Sequence, residues 1–244
     1  MKSMLLAVSV LLVSFVSPAL AGCGDGAAPG VDWSGCTKKI IIMRGTNLGG
    51  ANLSDSNLTS TDLREANLSD AILDQANLTS ASFGQANITK ASLFKAFGYR
   101  TNFSGADLSH AKMGFAELYR ANFAGSILTG ADLSHAGLPR ADFSGANLAG
   151  ADLAKSDAIR ANFENADLTD VSFAYAILAR ATFRGAILGG ADMSQAHLYR
   201  AELAGADLSE VKGLLQYQIL QTCGDETTVL PEGLVAPDGW PCVD

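Results

Sequence analysis

From Leu48 to Leu208 a large apolar residue recurs at every fifth position, and the register never slips across these 33 units. The centres are Leu, Phe, Ile or Met, with Gly98 and Ala158 as the two exceptions. Two positions before each centre stands a small residue, almost always Ala, otherwise Ser, Thr or, once, Val171. The other three positions carry mostly Ser, Gly, Asp, Asn and Lys. Self-similarity on this scale takes precedence over local propensity.

A period of five suits neither common element. On a helix, five steps of about 100° carry the apolar residue round the circumference. On a flat strand, an odd step flips it to the opposite face at every repeat. The chain must therefore turn once per unit, returning each apolar centre to the inside. The small residue two before it points inward as well, where a corner leaves little room, and the remaining three positions face solvent.

The rarer residues set the number of sides. Phe83, Phe103, Phe123, Phe143, Phe163 and Phe183 are spaced by twenty, and so are Arg100, Arg120, Arg140, Arg160, Arg180 and Arg200 at an outward position. Twenty residues are four units, which predicts a four-sided solenoid of about eight coils with an internal Phe ladder. At a strand spacing of about 4.8 Å the rod is roughly 40 Å long.

With its Ala-(Asp/Asn)-Leu-x-x units, seen plainly in "ADFSGANLAGADL" (141–153), the chain resembles the pentapeptide-repeat proteins. The resemblance spans residues 46–210. It implies an all-β solenoid, a right-handed quadrilateral parallel β-helix. The motif is architectural, so it carries over the Ala and Leu/Phe columns and no catalytic residues.

The termini read differently. Residues 1–21 carry Lys2 near the start, continue through the apolar run Met4 to Val16 and end in Ala19-Leu20-Ala21. That is the pattern of a secretory signal peptide, too short for a membrane span. The expected domains are thus a signal peptide (1–21), an N-terminal cap (22–45), the β-helix (46–210) and a C-terminal cap (211–244). "KKIIIM" (38–43) is expected as an entry strand, and "LLQYQILQT" (214–222), with Leu214, Leu215 and Ile219 at helical spacing, as a short helical cap over the last coil.

Export places the four cysteines in an oxidising compartment. Two local disulfides are expected, Cys23 with Cys36 and Cys223 with Cys242, each stapling a cap. "LAGC" (20–23) also matches a lipoprotein signal, in which Cys23 is acylated and membrane-anchored. The sequence admits both readings of Cys23. The localisation that follows is periplasmic or secreted, or anchored at the membrane through Cys23.

A formal charge of −8 favours solubility and disfavours nucleic acid as a partner. No nucleophile elbow, zinc-protease motif, P-loop or calcium loop is present, so neither an enzyme nor a cofactor is expected. The three histidines, His110, His135 and His197, lie on outward positions of different sides; His110 and His135 on adjacent sides are the nearest thing to a metal pair. The Arg column is the surface feature in need of a cause. Like charges about 5 Å apart repel by roughly 0.8 kcal/mol per pair even in bulk water. Either the guanidinia meet nearby acids such as Glu117, Asp142, Asp157 and Glu202, or they form a binding strip for an anionic partner, with Tyr99, Tyr119 and Tyr199 beside it.

The sequence therefore points to a non-enzymatic binding or scaffold rod of the bacterial cell envelope, with a protein or anionic polymer as partner. The alternative is a DNA-mimic inhibitor of an enzyme such as gyrase, a role known in the family. The signal peptide and the cationic column oppose it.

Overall fold

The computed structural model describes residues 22–240. The signal-peptide segment and Cys242 lie outside the described residues. The chain forms a parallel β-solenoid whose ladder is built of single-residue bridges at an offset of twenty, from Asp32↔Asn52 through Asp192↔Lys212.

The five-residue unit follows from where its backbone N–H groups go. In the unit Ala141–Gly145, the N–H of central Phe143 donates to Asn162 O in the following coil, at 2.7 Å. The N–H of Asp142 donates to Ala121 O in the preceding coil, at 2.9 Å. The N–H of Gly145 reaches the following coil again, at Glu164 O. Ala146, which opens the next unit, donates back to Phe143 O and closes a turn over Ser144 and Gly145. One donor in five is left over, that of Ser144, and it bonds the side chain of Asp142 at 3.0 Å. This is the physical reason for the Asn/Asp preference before each centre: a short side-chain acceptor completes the unit.

The turns also require a left-handed residue at their second corner position. Gly fills it in many units, at Gly125 (φ 63°) and Gly145 (φ 61°) for example. Elsewhere a full side chain accepts the conformation, including all six members of the Arg column at φ 55–58°. A left-handed non-glycine costs about 1 kcal/mol, so the side chains held there are surface features the fold itself does not call for.

Inside, the two inward columns are almost completely buried, with Ala141 and Phe143 at 1% and 0% exposure. The six Phe of the ladder stack face to face, with centroids 4.7–5.2 Å apart and planes within 12° of parallel. Phe173, on the opposite side, meets Phe163 and Phe183 edge-on. At Gly98 the missing side chain is replaced by the hydroxyl of Thr101, which turns in and donates to Leu78 O at 2.9 Å.

Coil geometry begins earlier than residue 46, the boundary expected from the repeat. Asp32, Thr37 and Ile42 already bridge the next coil, and Trp33 and Met43 fill central positions with 1% and 5% exposure. Residues 38–43 are therefore part of the first coil and not a strand laid over it. Ile40 and Ile42 consequently point outward and are exposed. Lys38 falls on a central position and turns to the open end, its Nζ 3.8 Å over the Trp33 ring and 2.7 Å from Cys23 O. The Cys23–Cys36 disulfide, with Cα atoms 5.5 Å apart, ties this end.

At the other end the helix is shorter than its apolar spacing suggests. α1 covers only Gln216–Ile219. Leu214 and Ile219 are buried as expected, whereas Leu215 is exposed. The plug is instead Gln218, buried at 1%, whose Nε2 donates to Met193 O and Ala196 O, both at 3.0 Å, while its Oε1 accepts from Leu215 N–H. After the helix the chain rejoins the ladder at Cys223↔Glu202 and Val229↔Asp207. Cys223 is disulfide-bonded.

Candidate binding face

The twenty-residue register places the Arg column on one corner of the rod, each guanidinium one coil above the last. Five of the six are exposed and Arg120 is half-buried. Its Nη1 donates to the Tyr99 hydroxyl at 3.1 Å. Tyr99 and Tyr119 stack with centroids 5.5 Å apart at 14°, and Arg100 and Arg120 lie over these rings at 5.0–5.9 Å. Tyr199 has no ring partner among the described residues, so the structure joins two of the three expected tyrosines to the column.

None of the six arginines forms an ion pair among the described residues. The acids expected to neutralise them are otherwise engaged or stand apart. Glu202 pairs with Arg184 at 2.8 Å, Asp142 accepts from Ser144 N–H and Asn162 Nδ2, and Asp157 accepts from Ile159 N–H. Ion pairing is found elsewhere on the rod. Arg44 holds Glu65 and Arg64 holds Asp62 in a fork, the latter drawing the Asp62 carboxyl down to about 2.

Next to the Arg corner, one flat side of the solenoid is hollowed into an open trough of about 760 Å³. Its floor is the bridge column Phe97, Glu117, Gly137 and Asp157. One wall is the corner bearing Lys95, Phe115, His135 and Lys155; the other carries Tyr119 and Pro139, adjoining the arginines. His135 lies flat on Phe115, 4.5 Å away at 5°. The aromatic wall of the trough thus absorbs one of the two histidines considered for a metal pair. No group of three or more metal-ligating side chains is brought together among the described residues. Sequence reasoning finds the Arg corner through its spacing but misses the trough, which arises from an absent side chain, that of Gly137.

Solved structures similar to the chain include HetL, a pentapeptide repeat protein involved in heterocyst differentiation regulation in the cyanobacterium Nostoc sp. strain PCC 7120. It is 26% identical over 86% of this chain and 91% of its own, with a TM-score of 0.43. QnrB1, a plasmid-mediated fluoroquinolone resistance protein, is 18% identical over 80% and 90%, with a TM-score of 0.40. No curated protein matches the chain. The family model for pentapeptide repeats matches in eight copies, over 43–75, 56–93, 101–138, 138–174 and 176–212. With that match and a backbone that turns every five residues and pairs every twenty, the chain belongs to the pentapeptide-repeat family.

Proposed function

We propose that the protein is a non-enzymatic binding rod of the bacterial cell envelope, exported by its N-terminal segment, and that the Arg corner is its contact surface for an anionic partner. One observation carries this reading: six guanidinia stand in register along one edge, and no carboxylate among the described residues pairs with any of them. Elsewhere an outward column is neutral and bonded within itself. Asn47, Asn67 and Asn87 show the contrast, linking side chain to side chain from coil to coil. The Arg column instead combines mutual repulsion with the cost of holding a side chain on left-handed backbone, both of which a Gly would avoid. A row of positive charge also has the wrong sign to imitate the phosphates of a DNA duplex.

The test is the triple substitution of Arg120, Arg140 and Arg160 by Gln, which keeps hydrogen bonding and removes three charges. The variant is expected to fold as well as the parent or slightly better, to bind envelope fractions more weakly, and to lose most of the salt sensitivity of that binding. Exposed charges are screened beyond about 8 Å at physiological ionic strength, so parental binding should fall with added salt. A variant that unfolds at distinctly lower temperature yet captures the same material would make the column structural and end this reading.

A further inference from the structure

We infer that the trough beside the Arg corner is a binding site for a carboxylated polysaccharide, with sugar rings seated over Gly137 and their acid groups met by the arginines. The inference rests on the Arg-corner reading and specifies its ligand.

The charge pattern of the trough selects the occupant. Lys95 and Lys155 stand on one wall, and Glu117 and Asp157 on the floor. None of the four is in an ion pair among the described residues; Asp157 accepts from Ile159 N–H through Oδ1 only, which leaves Oδ2 to a ligand. A purely anionic chain lying on the floor would meet the two carboxylates. A cationic segment would meet both lysines and the arginine edge. A polyhydroxylated ring has donors for Glu117 and Asp157 and acceptors for Lys95 and Lys155, so it satisfies both signs at once. Apolar surface for the C–H faces of such rings is present as well. Phe97, Phe115 and Tyr119 are 44%, 47% and 38% exposed within or beside the trough. The ring stacks Tyr99–Tyr119 and Phe115–His135 both end inside its length, where the next residues in their columns are Pro139 and Lys155.

Periodicity supports the same occupant. Arginines recur once per coil, near the strand spacing of about 4.8 Å. A pyranose ring advances along an extended glycan by about the same distance. Successive rings of an extended uronic acid polymer face opposite sides, so its carboxylates meet every second guanidinium while its rings lie on the neighbouring side. Each arginine–carboxylate contact is exposed and weak on its own, but several in register act together.

Gly137 makes the site testable without touching a charge. Its φ is not in the left-handed range, and a Cβ there meets nothing closer than Glu117 Cγ at 3.8 Å. The same column already accepts Phe97 and Ile177. Gly137→Phe should therefore fold normally and fill the trough. Binding of the mature protein would be measured to polygalacturonate (carboxylated glycan), polyglutamate (carboxylated, no sugar) and dextran (sugar, no charge), each with thermal unfolding of every variant.

The parent is expected to bind polygalacturonate about tenfold or more tighter than either other polymer. Gly137→Phe should reduce polygalacturonate to the level of polyglutamate, and the Arg120/Arg140/Arg160→Gln variant should reduce it to the level of dextran, both with unchanged melting. Equal binding of polygalacturonate and polyglutamate, unaffected by Gly137→Phe, would overturn the trough and leave the Arg corner as a simple polyanion strip. Binding to none of the three polymers by the parent overturns the glycan site. Loss of envelope binding in the triple Gln variant would then leave the Arg corner as the contact for an anionic partner other than a carboxylated glycan.

Discussion

Phe123 and Phe143, twenty residues apart in the chain, lie face to face with centroids 4.7 Å apart and planes 2° from parallel. Phe143 is also stacked on Phe163 and is fully buried. Its replacement by Ala opens a cavity between two rings that the backbone ladder holds in place, so it should cost about 3–5 kcal/mol. Ser144→Ala in the same unit, where only the backbone N–H and C=O are engaged, should cost less than about 0.5 kcal/mol. Urea unfolding of the two variants checks this; equal losses would contradict the division into inward and outward positions.

Asp142 supplies the acceptor for the one N–H per unit that the backbone leaves unmet. Asp142→Ala should therefore cost about 1 kcal/mol and speed exchange of the Ser144 amide. Asp142→Asn keeps Oδ1, as Asn122 and Asn162 do in the neighbouring coils, and should be nearly neutral. Amide exchange by NMR reads both. A Ser144 amide equally protected in the Ala variant would dismiss the side chain as the unit's closing acceptor.

The spacing of Phe and Arg makes the four-sided coil legible in the chain itself, because cores and corners both repeat with the coil. The first coil is hidden for the same reason in reverse. Trp33 and Lys38 occupy central positions yet match no repeat consensus, and their fit depends on lying at an open end, where a large ring and a long cationic side chain can close the rod. The C-terminal plug is hidden because Gln218 looks polar in sequence, while two carbonyls of the last coil supply its partners. The trough depends on how three columns face one another, and no single column reveals it.

Arg64 grips Asp62 through Nε at 2.8 Å and Nη2 at 2.6 Å, and this hydrogen bonding is the main reason its carboxyl falls from 3.8 to about 2. A carboxyl with a depressed folded value favours the native state above its ordinary value. That contribution is lost as pH falls from 3.8 to about 2. Asp62→Asn should therefore show a shallower loss of stability in this window than the parent, and Arg64→Gln should resemble it. Denaturant midpoints measured down the pH series decide the matter; superimposable profiles would show that the fork adds nothing in solution.

The Cys23–Cys36 bridge closes a short loop at the first coil. In a solenoid each coil leans only on its neighbours, so the paired Cys23→Ser and Cys36→Ser substitutions should loosen the end and spare the middle. Hydrogen exchange is expected to rise around Trp33 and to stay unchanged around Phe143. Intact mass of exported protein should show Gly22 at the start and no free thiol. A diacylglycerol mass on Cys23 would remove that residue from the bridge and make the protein a lipoprotein.

The fixed offset of twenty has a consequence for how such a molecule changes over generations. Deleting or copying one block of that length, residues 121–140 for instance, would rejoin an equivalent junction and preserve the paired donors and acceptors on either side. Only the number of steps along the edge would alter, and with it the count of guanidinia a long ligand can engage. With the edge binding as proposed, avidity would be set by a mutational event that leaves folding nearly untouched, a graduated scale from which a lineage can cut or extend its reach one notch at a time.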